Sequence, residues 1–159
     1  MNTLQLFYKI YQNHKDIKSA DYINWAFTML EDNCSSFSLN ILASLREPLN
    51  IFEVEVYFRR ALSEMELQEP SYEECARDNI LHLSEKILQD KNNVFEIVYD
   101  INTVIRDIDY PEDLKEWFII SEMVDGFHYG GNAFNLTKEE VMTAIMDAAK
   151  NQVKNYKKS

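Results

Sequence analysis

Three histidines, His14, His82 and His128, and two cysteines, Cys34 and Cys75, are the side chains best suited to acid–base, metal or thiol chemistry here. A carboxylate-bridged di-iron bundle would need Glu-x-x-His on two facing helices. Neither His82 nor His128 has Glu three residues before it; Asp125-Gly-Phe-His128 is the nearest approach and occurs once. His82 lies near Asp78 and Glu85 on a polar face, as a surface histidine would. Cys75 follows Glu73 and Glu74, whose charge disfavours the thiolate rather than activating it. Cys34 falls at a helix end, a position that can mildly activate a thiol. The two cysteines have no metal-ligand spacing and are too few for a disulfide framework, which points to a reducing compartment. No glycine-rich loop is available to cradle phosphate. Adjacent acids such as Glu112 and Asp113 sit where a helix macrodipole favours them without any catalytic duty. These residues predict no enzyme, no metal and no cofactor.

The elements that would position any site are helical. Only three glycines and three prolines interrupt 159 residues, too few for the many turns of an all-β fold. A single domain of this size buries roughly 70% of its unfolded surface. Apolar periodicity predicts about eight helices. The first covers Leu4 to Asn13. The second is capped at Ser19 or Asp21, with Ile23, Ala26, Phe27 and Leu30 as a core face and Tyr22, Trp25 and Met29 as another. Ser36 or Ser38 caps the third, and Asn50 the fourth. Ser71 with Glu74 forms a capping box for the fifth, whose Ala76, Ile80, Leu83 and Ile87 point inward. Asn93 caps the sixth. Pro111 opens the seventh, with Leu114, Trp117, Phe118 and Ser121 on one face, ending at Asp125 or Gly126. GFHYGGNAFNL then reads as the clearest loop, and Thr137 with Glu140 caps the last helix, which frays into a lysine tail at about 150–159.

Two of these helices resemble each other. Asn50–Leu62 reads NIFEVEVYFRRAL and Asn93–Ile105 reads NVFEIVYDINTVI, 43 residues later. Phe52 aligns with Phe95, Glu53 with Glu96, Phe58 with Ile101, Ala61 with Val104 and Leu62 with Ile105. A turn, a proline and another helix follow each copy. Helical hairpins of about this period predict an all-α, HEAT-like right-handed stack of antiparallel helix pairs. A compact helical bundle accounts for the same pattern.

The charge is strongly acidic: 16 Lys plus Arg against 27 Asp plus Glu. Four lysines lie in the last ten residues, so the remainder carries twelve basic residues against all 27 acids, or −15. Such a body repels nucleic acid and anionic membranes and attracts basic proteins. Glu53, Tyr57, Arg60 and Glu64 form one helical stripe; Glu96, Asp100, Thr103 and Asp107 form its counterpart. Acids continue through Asp109, Glu112, Asp113 and Glu116. Solubility explains such a face; a docking surface for a basic partner explains it too. Tyr129, in the glycine-bearing segment, is the candidate aromatic anchor. No stretch has a signal peptide's pattern or the length of a membrane span, so a cytoplasmic location is expected.

The string DYINWAFTMLEDNCSSFSLNILASL resembles a group of small, all-helical bacterial proteins, some of them immunity proteins of polymorphic-toxin loci. Asp21, Tyr22, Trp25, Ala26, Met29 and Leu30 carry the first half of the likeness. Ser36, Ser38, Leu39, Ile41, Leu42, Ala43, Ser44 and Leu45 carry the second. It spans about one-sixth of the chain. These are caps and packing positions, so it implies a fold and a binding role and assigns no site residue. The expectation is a non-catalytic module that neutralises a toxin by covering a basic surface, with a HEAT-like scaffold as the alternative.

Overall fold

A computed structural model describes residues 1–13, 16–131 and 135–158. Among these the secondary structure is helical, with no strand. The α-helices are α1 (Thr3–Gln12), α2 (Ser19–Glu31), α3 (Phe37–Ser44), α4 (Ile51–Glu64), α5 (Tyr72–Gln89), α6 (Val94–Asp107), α7 (Lys115–Tyr129) and α8 (Lys138–Tyr156). A single 3-10 turn, Glu112–Leu114, precedes α7. The all-α expectation and the helix number both hold. Contacts gather into two compact units, Met1–Cys75 and Ala76–Ser159.

In the first unit α4 packs on α2 and α3, and α2 on α1. Its centre is aromatic. The Phe58 ring lies 4.8 Å from Trp25, 5.0 Å from Tyr22 and 5.7 Å from Phe7, centroid to centroid. Trp25 buries its indole yet keeps its N–H satisfied, donating to Thr3 Oγ1 at 3.0 Å, as a buried polar tip requires. Lys18 is the N-cap of α2, and Asp21 accepts its N–H at 2.8 Å while pairing with Lys9 Nζ at 2.8 Å. Asp21 thus closes the helix start from its third position rather than capping it directly. Ser36 caps α3, accepting from Leu39 N.

Two assignments in this unit change. Phe27 is exposed, and Tyr22, Trp25, Ala26 and Met29 form the buried face of α2. Glu64 is not part of a free solvent stripe. Ser38 donates its N–H and Oγ–H to the Glu64 carboxylate at 2.9 and 2.6 Å, fastening the start of α3 to the last residue of α4. The two helices are therefore antiparallel, and these serine hydrogen bonds hold the Glu64 carboxyl below its ordinary value.

In the second unit α7 contacts both α6 and α8. Val94, Val98, Ile101, Val104 and Ile105 make the buried stripe of α6; Trp117, Ile120, Ser121 and Val124 that of α7. Trp117 Nε1 donates to Gln152 Oε1 of α8 at 3.2 Å. Ser71 with Glu74, in the first unit, and Thr137 with Glu140, in the second, form the reciprocal capping bonds expected of them. Asn50 caps α4 by accepting from Phe52 N at 2.9 Å, but Asn93, though at the N-cap of α6, makes no side-chain capping bond. Phe118 is turned outward, its ring edge-on to Tyr110 at 5.5 Å. Leu83 of α5 is half-exposed. The last helix continues through Lys150 and Lys154 to Tyr156 instead of fraying at 150.

The repeated helices match where they are buried and part at one aromatic. Phe58 and Ile101, Ala61 and Val104, Leu62 and Ile105 are buried pairwise. Phe95 stacks on Phe127 at 6.1 Å, whereas its counterpart Phe52 is 76% exposed. Replacing Phe58 by Ala is expected to cost about 3–5 kcal/mol in denaturant unfolding, the range for a large buried aromatic. Phe52→Ala should stay within about 0.5 kcal/mol.

The Glu64 contact has a pH signature. A lowered folded-state pKa adds stability that is present above the unfolded value of 4.5 and is lost as pH falls through the folded value. Glu64→Gln should flatten stability against pH on the acid side of 4.5 and leave its alkaline limb unchanged, as read by urea unfolding across pH.

Candidate functional site

The acids singled out by spacing occupy three settings. Glu53 lies in the first turn of α4, exposed, in the first unit. Glu96 and Asp100 lie in the first two turns of α6, one helical turn apart and both exposed. Asp107 ends that helix, and Asp109, Glu112, Asp113 and Glu116 follow through the link into α7.

The link is tied down by local pairing. Asp113 receives two hydrogen bonds from the Arg77 guanidinium, at 2.6 and 3.2 Å, and this contact lowers its carboxyl below the ordinary value. Glu112 meets Lys115 Nζ at 3.3 Å, and Asp107 meets Arg106 Nε at 3.7 Å. Asp109 and Tyr110 both take left-handed backbone, φ 60° and 49°. Their N–H groups close the end of α6 by donating to the carbonyls of Arg106 and Ile105. Asp tolerates this region better than Tyr. The fold thereby holds the Tyr110 ring over a surface hollow of about 450 Å³, lined with it by Ile105, Pro111, Leu114 and Phe118.

Glu96 and Asp100 differ from these. Among the described residues neither makes an ion pair. Four residues apart on one helix, they repel each other. They border two neighbouring hollows. One, of about 410 Å³, runs between α5 and α6, with Leu83, Lys86 and Asp90 on one side and Glu96, Ile97 and Asp100 on the other. The second, of about 340 Å³, lies between the start of α6 and the end of α7; Phe95, Glu96, Tyr99, His128 and Tyr129 border it. The fold therefore brings Glu96 into one hollow with Tyr129, and into the next with Asp100.

Tyr129 is not on a loop. Helix α7 continues through Gly126, Phe127 and His128 to Tyr129, and stops at Gly130, whose φ of 81° suits a glycine past a helix end. An isolated glycine in a helix costs about 1 kcal/mol, which packing readily offsets. Here the packing is aromatic. The Phe95 ring stacks on Phe127 and meets the His128 ring edge-on at 5.0 Å. The Tyr129 ring is 83% exposed beside them. Of the rest of that segment, Asn132 to Phe134 lie outside the described residues.

Tyr99 completes the wall. Its hydroxyl donates to Asp125 Oδ1 at 2.7 Å. Burial, then this hydrogen bond, push the Tyr99 hydroxyl above its ordinary value of 10.0. Phe95 and Tyr99 were not foreseen as site residues. The signal was present: aromatic groups four apart on α6, and the FHY run at the end of α7.

The remaining chemical candidates are dispersed. Cys75 is buried and Cys34 half-buried. Cys34 follows the C-terminal end of α2, and its Sγ faces the Asp32 carbonyl at 4.0 Å, an oxygen that does not stabilise a thiolate. His82 is exposed on α5, and His14 lies outside the described residues. Among the described residues no three His, Cys, Asp or Glu side chains are grouped to hold a metal ion. No described helix is long and apolar enough to cross a membrane. Comparison of the chain with protein-family models, with curated proteins and with solved structures finds no match.

A raised tyrosine pKa contributes stability that is complete below the unfolded value of 10.0 and is lost as pH climbs through the folded value. Tyr99→Phe should therefore lose less stability than the native chain as pH rises above 10.0. Tyrosinate absorbance of the variant should lack one late-titrating group. Identical alkaline curves would remove Tyr99 from this role.

Proposed function

We propose that the chain is a non-catalytic protein-binding module that neutralises or regulates a basic partner by covering it. The observation that carries this reading is the pair Glu96 and Asp100: exposed, mutually repelling, unpaired among the described residues, and set beside half-exposed and exposed aromatic rings. The start of α6 favours Glu96, but folding alone does not favour a second unmatched carboxylate, Asp100, one turn further on. Aromatic groups at the centre with charge around them are the composition of a binding hot spot. Complementary charge speeds encounter with a cationic partner and rejects anionic ones, including nucleic acid and anionic membrane.

The resemblance of residues 21–45 to immunity proteins of polymorphic-toxin loci gives this partner a character. A bacterial toxin domain that acts on phosphate-bearing substrates must carry cations at its site, and a cytoplasmic acidic protein covers such a surface. Of the residues proposed for contact, the acids Glu96 and Asp100 and the aromatic Tyr129 form the centre of this reading. Asp107, Asp109, Glu112 and Glu116 of the same unit contribute to the field, while Asp113 is engaged by Arg77 and Glu53 belongs to the first unit. A second reading, a HEAT-like scaffold without a toxin partner, draws on the matched burial of α4 and α6.

Affinity capture with the native chain and with a Glu96→Lys, Asp100→Lys, Asp107→Lys variant separates these readings. The proposal expects a basic captured protein whose affinity falls about tenfold or more on reversal, with helical circular dichroism preserved. Capture that is indifferent to reversal would remove this face from the account.

A further inference from the structure

We propose that the notch between the start of α6 and the end of α7 receives a single arginine side chain from the basic partner. This rests on the binding role proposed above and adds the chemistry of the contact. Aromatic rings and a carboxylate converge there. Phe95 and His128 meet edge-on at 5.0 Å, His128 and Tyr129 lie 6.2 Å apart, and Glu96 borders the same 340 Å³ space. A cation over an aromatic face is attracted by the ring quadrupole, and a carboxylate adds a charge-assisted hydrogen bond.

The lining discriminates among cations. Among the described residues it contains no Lys or Arg to compete, unlike the neighbouring hollow, where Lys86 already lines the space with Glu96 and Asp100. Glu96 and the side-chain oxygens of Asn92 and Asn93 are acceptors on the rim. They have no use for a quaternary ammonium, which carries no N–H. A guanidinium is planar, stacks on rings and donates in a fork, whereas an ammonium is compact and more strongly hydrated. The two helix ends act in opposite directions. The amino end of α6 disfavours a cation, and the carboxyl end of α7, closing at Gly130, favours one. The carboxylate and the rings therefore decide the sign. Tyr99 is held in place through Asp125 rather than free to turn into the space.

The test is titration of the full chain with N-acetyl-arginine amide, followed by NMR of the His128 and Tyr129 rings. Parallel titrations use N-acetyl-lysine amide and tetramethylammonium. The proposal expects saturable shifts with the arginine probe and weaker binding of the other two. Tyr129→Leu and Glu96→Gln should each weaken arginine binding about two- to thirtyfold. Both residues are exposed, so the variants are expected to fold, and Lys86→Gln should bind as the native chain does. Absence of saturable shifts, equal binding of tetramethylammonium, or indifference to both substitutions would overturn it. A charge-dependent partner captured by a chain that ignores the arginine probe would sink this inference alone. Arginine binding without charge-dependent capture would instead sink the proposed function.

Discussion

Burial of the apolar stripe of α6 is the constraint from which the candidate site follows. Val94, Val98, Ile101, Val104 and Ile105 are each at most 4% exposed. At about 25 cal/mol per Å² of apolar surface, such a stripe outweighs any surface charge term on the same helix. Once it faces inward, helical geometry leaves Glu96, Asp100 and Asp107 outward. Turning them in would bury unpaired carboxylates, at a cost of several kcal/mol each. The charged face is thus a consequence of the core, but its being unmatched is not. Lysines at suitable positions would have neutralised it without disturbing one buried residue.

The end of α7 supplies the second ingredient. Phe127 and His128 are helical because Phe95 packs against them, and Tyr129 is carried along as the last helical residue. A tyrosine fixed on a helix loses less entropy on binding than one on a loop. In α4 the counterpart Phe52 has no such cover and stands exposed. The repeated sequence therefore builds the same buried register twice, and the aromatic wall of the α6–α7 notch is built only in the second copy.

Much of this is legible in the sequence alone. Helix periodicity, the Ser71 and Thr137 capping boxes and the buried tryptophans follow from local rules that act over three or four residues. What was not legible depended on distant partners. Glu64 read as a solvent acid because Ser38, 26 residues away, is invisible to periodicity. Asp113 read as free because Arg77 lies 36 residues before it. Gly126 read as a helix stop because propensity weighs it alone, while the packing of Phe127 and His128 on Phe95 offsets it; the stop is the Gly130-Gly131 pair. Phe27 and Phe118 were misplaced for another reason: each sits at the border of an apolar stripe, where a small helix rotation decides between core and solvent.

The central claim is that Asp100, beside a Glu96 that the start of α6 favours, is carried at the expense of the fold rather than for it. The most direct measurement is the unfolding free energy of Asp100→Asn, which removes one member of the repelling pair and changes helix propensity little. The account predicts stability unchanged or raised by about 0.2–0.5 kcal/mol, the size of a relieved like-charge contact four residues apart. A loss of more than about 1 kcal/mol, the value of a structural hydrogen bond, would contradict it by making Asp100 part of the scaffold.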